Sequence, residues 1–133
     1  MNLTVIAAGA VFLHMVLFTD AWAQPKLPHA PTENELLMLP EECQATRKGG
    51  QPAEAYAKRL QVQGITGISH YCAGLNFINR AKFVSRNKTG KRFNLQSAIG
   101  EFDYVLGHSA PNATGLQTIQ AQKELAEMML KNL

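Results

Sequence analysis

Few residues in this sequence have the types and spacing that chemistry requires. His70 stands two positions before Cys72, and together with His108 the pair offers nitrogen and sulfur donors of the kind that hold zinc or copper. The spacing works against a shared ion, because residues i and i+2 of a helix point about 200° apart. No third ligand stands near them, so surface or half-buried histidines are expected and no metal. Glu101 and Asp103 offer paired carboxylates for acid–base work. They too are two apart and flank the apolar Phe102, which predicts a solvated polar face. Ser69-His70 and His108-Ser109 place hydroxyls beside imidazoles, but adjacency in sequence does not create nucleophile–base geometry. With no glycine-rich phosphate loop and no nucleophile elbow, no catalytic residue and no cofactor are expected.

Two cysteines, Cys43 and Cys72, carry the second kind of chemistry. In an oxidising compartment an isolated even pair is most simply a disulfide, and two buried thiols are the alternative. A bridge closing a loop of that length is worth roughly 3–4 kcal/mol in the chain-entropy picture. Neither cysteine belongs to a C-x-x-C or C-x-x-C-H motif, which disfavours a redox centre or attached haem.

Charge is the third signal. Arg80, Lys82, Arg86, Lys88, Lys91 and Arg92 fall in one stretch without an acidic residue. The stretch is predicted to span the end of one helix and the loop after it, where cations complement the helix dipole and a solvated loop needs no partner. The functional alternative is an anionic partner: lipid headgroups, an acidic protein surface or an envelope polymer.

These residues must be positioned by the surrounding elements. Leu3 to Phe18 is an apolar run followed by Asp20 and Ala21-Trp22-Ala23, the pattern of an export signal cleaved before Gln24. The run is short for the ~20 residues of a membrane-spanning helix. Met1-Asn2 lacks the usual basic residue, so retention of residues 1–23 as an N-terminal anchor stays open. Residues 24–32 hold Pro25, Pro28 and Pro31 and read as an extended leader, leaving residues 33–133 as a single domain. Thr32 with Glu35 makes a capping box for a short helix over Glu33 to Leu39, stopped by Pro40. Arg47 to Gln51 is predicted as a loop, and Pro52 opens a helix ending at Gly64.

The remaining chain has helical periodicity throughout. Ile68, Cys72, Leu75 and Ile78, widened by Tyr71, Gly74 and Ala81, form one stripe, which Asn87 to Lys91 is expected to break. Leu95, Ala98, Ile99, Phe102, Val105 and Leu106 form a second, ended by Gly107 and Pro111. Leu116, Ile119, Leu125, Ala126, Met129 and Leu130 form a third helix running from Ala113 almost to the terminus. No strand pattern of useful length occurs, so the fold class is all-α, built of antiparallel helical hairpins. The second stripe is expected to pack on Leu75, Ile78 and Leu116.

Over residues 65–133 these positions resemble a tetratricopeptide repeat. Gly74-x-x-Phe77, Ala98-x-x-x-Phe102-x-x-Val105 and Pro111 resemble its small and aromatic positions, with the last helix as a C-terminal cap. The distance from Phe77 to Ala98 exceeds that of the repeat by about twelve residues. The stretches HYCAGLNFINRA and AIGEFDYVL are also similar to small exported bacterial proteins. The repeat resemblance implies a concave side carrying Tyr71, Leu75, Ile78, Asn79 and Lys82 toward a partner, with Arg86, Lys88, Lys91 and Arg92 at its rim.

The 133 residues are 46% hydrophobic and 17% charged, a globular composition that excludes disorder, collagen and a multi-span membrane protein. Cleavage after Ala23 would remove Asp20 and no basic residue, leaving thirteen basic against nine acidic residues, a net charge of +4. The expected role is a non-enzymatic protein–protein interaction module: an exported accessory subunit or adaptor of a membrane-bound or envelope complex, periplasmic or secreted. An anionic membrane surface is a further candidate partner, while export argues against nucleic acid. The alternative is a small secreted enzyme or ligand carrier with a site between helices. A deep pocket with convergent polar groups would favour the alternative; an exposed apolar patch would favour the module.

Overall fold

A computed structural model describes residues 29–133. The export signal, the possible anchor and residues 24–28 of the leader lie outside the described residues. Within them the chain is all-α, without a strand: α1 (Glu33–Leu36), α2 (Glu41–Lys48), α3 (Gly50–Val62), α4 (Ile68–Asn79), a π-helical turn (Arg80–Val84), α5 (Lys88–His108) and α6 (Leu116–Lys131). α4 packs antiparallel on α5, and α5 on α6.

The capping box forms as the sequence indicates. The Glu35 amide donates to Thr32 Oγ1 at 3.3 Å, and the Thr32 amide donates to Glu35 Oε2 at 2.8 Å. Pro40 ends this first helical segment but also opens α2, which places Cys43 inside a helix and not in a connection. Glu41 and Glu42 in the first turn and Arg47 and Lys48 in the last match the α2 dipole at both ends. The loop expected over Arg47 to Gln51 shrinks to one break, where Gly49 and Gly50 adopt φ of 75° and 77°, left-handed values costly for other residues.

The expected break over Asn87 to Lys91 is also shorter. Asn87 does not interrupt a helix here but starts one: its side chain accepts the Gly90 amide at 2.8 Å, making it the N-cap of α5. The real break is the short linker after the π-helical turn, which itself closes through the Ser85 amide to the Arg80 carbonyl at 2.8 Å. At the other end α5 runs through Gly107 to His108, because a lone glycine in a packed helix is tolerated. α6 starts at Leu116, three residues later than expected.

Leu95, Ala98, Phe102 and Val105 of α5 are buried with Phe77, Ile78 and Ala81 from the α4 side and Ile119 and Ala126 from α6. Ile99, Leu75 and Leu116 pack around them half-buried. A smaller cluster joins Leu39 to the Cys43–Cys72 disulfide, whose Cα atoms lie 5.4 Å apart, and so ties α2 to α4. A disulfide fits an oxidising compartment. No helix among the described residues is long and apolar enough to cross a membrane.

Gly74 sets how closely α4 approaches α5. A Cβ built there would lie 2.6 Å from the Phe102 ring, nearer than side-chain atoms approach. Phe102→Ala should cost roughly 3–5 kcal/mol and Gly74→Ala roughly 1–3 kcal/mol in denaturant unfolding. The double variant should cost less than the sum, since the new methyl enters the space the ring vacated. Simple additivity would refute the close packing.

Candidate interaction surface and the adjoining cavity

The acid-free basic stretch divides into parts with different environments. Arg80, its first member, is 1% exposed. Its Nε donates to Glu35 Oε1 at 2.6 Å and its Nη2 to Glu35 Oε2 at 2.9 Å and to the Ala30 carbonyl at 3.3 Å. This two-pronged pair fastens α1 and the leader to the junction of α4 and the π-helical turn. Sequence reading grouped Arg80 with the surface cations; nothing in the chain marks a partner 45 residues away.

The other cations lie outside. Lys82, Arg86, Lys88 and Arg92 are exposed and Lys91 is half-exposed. Lys82 falls in the last turn of the π-helical segment, where the dipole favours it. Lys88, Lys91 and Arg92 occupy the first turns of α5, which contain no acid. The sequence placed these three in a solvated loop after a helix; they instead open a helix, whose dipole disfavours cations in its first turn, where Lys88 and Lys91 stand.

Among these charges stand apolar side chains that no sequence stripe included. Phe83 is 69% exposed, Phe93 58% and Val84 43%. The Asn94 side chain donates to Ser85 Oγ at 2.8 Å, tying together the two segments that carry them. Their signal was legible: Phe93 lies two residues before Leu95 and thus on the opposite face of α5, and Phe83 follows Ala81 in the same way.

The proposed concave set is not brought together as a surface. Ile78 is 3% exposed and belongs to the core, so it cannot face a partner; its place on the buried stripe decides this. Tyr71 and Leu75 are half-buried between the two clusters. Burial, with the charge of Glu42 adding, pushes the Tyr71 hydroxyl above its ordinary pKa of 10.0. The Asn79 amide donates to the Met38 carbonyl at 3.4 Å.

The polar residues weighed for catalysis assemble elsewhere. Glu101 is not on a solvated face: Oε1 meets His29 Nε2 at 2.8 Å and Oε2 meets His70 Nδ1 at 2.7 Å. Sequence reading missed this because His29 comes from the leader, 72 residues away. Asp103, as expected, is exposed, where it meets Lys123 Nζ of α6 at 2.7 Å; that bond raises the Lys123 pKa. His70 and Glu101 line a cavity of about 270 Å³ with Ser69, Arg47 and the disulfide. The Tyr104 ring is stacked between His70, at 3.8 Å, and His108, at 4.0 Å, which separates the two imidazoles by a ring and denies them a common ion. Among the described residues no group of three or more His, Cys, Asp or Glu side chains is placed to hold a metal. Among the described residues no serine hydroxyl hydrogen-bonds to an imidazole, and the Glu101–His70 pair orients a ring at the cavity that Ser69 also lines. Comparison with family models, with curated proteins and with solved structures gives no match.

The Arg80 guanidinium, helped by the Thr32 amide and against the opposing effect of burial, holds the Glu35 carboxyl down from 4.5 to about 2. Because the folded pKa is depressed, this contribution to stability is complete above about pH 4.5 and is lost as pH falls toward 2. It amounts to roughly 3 kcal/mol. Glu35→Gln should lower stability at neutral pH by about 3–5 kcal/mol, since it strips a buried guanidinium of its counter-charge, and should flatten the pH dependence below 4.5. Denaturant unfolding across pH measures both, and equal acid slopes for the two proteins would contradict the assignment.

Proposed function

We propose that the chain is an exported, non-catalytic interaction module that docks through the end of the α4–α5 hairpin onto an anionic partner. The observation that carries this reading is the coincidence of exposed Phe83, Val84 and Phe93 with exposed Lys82, Arg86, Lys88 and Arg92, while Lys88 and Lys91 stand in the first turn of α5, where the helix dipole disfavours them. Exposed apolar groups rimmed by charge are the mark of a binding surface. An electrostatic cost carried by the free protein is offset when negative charge arrives.

In this reading the tetratricopeptide-like hairpin is the scaffold. Its support is the Gly74–Phe102 approach, with α6 as the cap. The additional residues between Phe77 and Ala98 supply the π-helical turn and the first turns of α5, the region that carries the surface. Export rests on the apolar leader motif and agrees with the disulfide. The alternative, a ligand carrier or enzyme, has the 270 Å³ cavity in its favour. An imidazole already fixed by a carboxylate would give it a polar anchor.

A photo-crosslinking residue replacing Phe93 should form adducts in the producing cell, while one at Gln117, exposed on α6, should not. Replacing Arg86, Lys88, Lys91 and Arg92 together by Gln should remove the Phe93 adducts and leave the melting transition in place. Adducts of equal yield from both positions, or insensitivity to the four substitutions, would sink the reading.

A further inference from the structure

The same surface has features that choose among anionic partners, and we infer that its partner is the face of an anionic lipid bilayer. The inference rests on the docking reading above. Phe83, Val84 and Phe93 are exposed, and neither the cavity beside Glu101 nor the smaller one of about 180 Å³ beside Tyr71 includes any residue between Lys82 and Phe93. Protein partners are held by side chains seated in desolvated pockets within interfaces of about 20–30 residues a side. The acid-free stretch is much smaller than that. A bilayer needs no pocket, because protruding apolar groups enter the headgroup–acyl boundary while surrounding Lys and Arg side chains meet the phosphates.

Charge complementarity points the same way. From Arg80 to Arg92 there is no Asp or Glu to repel a negatively charged sheet, and Arg80 itself is committed to Glu35. The cations are spread over the π-helical turn, the linker and the first turns of α5, a distribution that matches a continuous anionic sheet better than one localised acidic group. Ala30 touches Arg80 through its carbonyl, and His29 lies edge-on to Phe77 at 5.4 Å, so the leader meets the domain close in sequence to this surface.

Co-sedimentation with vesicles tests this, using the protein as the cell exports it and vesicles of equal parts phosphatidylglycerol and phosphatidylcholine, or of phosphatidylcholine alone. The protein should pellet with the first at low salt. Substituting Arg86, Lys88, Lys91 and Arg92 by Gln should weaken that binding by up to about a thousandfold. Phe83→Ala with Phe93→Ala should weaken it about tenfold or more at any salt concentration. The leader is the same in every variant, so the differences report on the α4–α5 end alone, and all these side chains are exposed or half-exposed, so the fold should survive. Equal binding to both vesicle types, or equal binding by wild type and variants, overturns the lipid assignment. If vesicle binding fails while the Phe93 crosslinker still captures a protein in a cation-dependent way, the docking surface stands and its partner is an acidic protein. Failure of both experiments removes the docking reading itself.

Discussion

The Arg80–Glu35 pair is the contact on which the arrangement of the remaining elements depends. A guanidinium with 1% of its surface exposed is tolerated only where its charge and its donors are answered, and Glu35 answers both through two oxygens. Glu35 can do so because α1, four residues long and too short to be stable alone, is closed by its own capping box. The same carboxylate therefore caps a helix, neutralises a buried cation and holds the leader beside α4. The pair is sited where α4 gives way to the π-helical turn. The disulfide secures the other side of this N-terminal layer by joining α2 to α4.

Helix type was legible wherever an apolar stripe was long, because a buried face imposes the 3.6-residue period on sequence. The α5 stripe from Leu95 to Val105 and the α6 stripe from Leu116 to Leu130 are such cases. Boundaries were less legible where a residue has two uses. Asn87 is as good a helix N-cap as a helix breaker, and Pro40 ends one helix by starting another, so in both places the choice was made by neighbouring packing. The Cys43–Cys72 pairing followed from number and compartment. The polar partnerships did not, since Glu35–Arg80 and His29–Glu101 join residues 45 and 72 positions apart and no periodicity encodes them.

The candidate surface was half legible. Its charge was visible as an acid-free stretch, but its apolar component was hidden by the habit of assigning large hydrophobic residues to the core. Position on the helix wheel separates them: Phe102 shares the face of Ala98 and Val105 and is fully buried, whereas Phe93 lies on the face opposite Leu95 and is exposed. The concave assignment failed at Ile78 for the converse reason. A residue on the stripe that packs α4 against α5 has no second face with which to meet a partner.

The α5 helix reconciles these demands by separating them along its length. From Leu95 to Val105 it lies against both α4 and α6, and burial there supplies the stability that 21 residues of helix require. Its first turns are tied to the linker through Asn94 and Ser85, and Lys88, Arg92 and Phe93 there are exposed. Cations placed there oppose the helix dipole by a few tenths to about 1 kcal/mol each, which a helix nucleated by Asn87 and anchored by Phe102 withstands. Had the same charges stood on the buried face of α5, at Ala98 or Val105, they would have met the core and carried the much larger cost of burial. A long helix with a buried middle and a projecting end thus lets the surface carry charges that do nothing for the fold, and this freedom is the structural basis for reading the basic end as a binding surface.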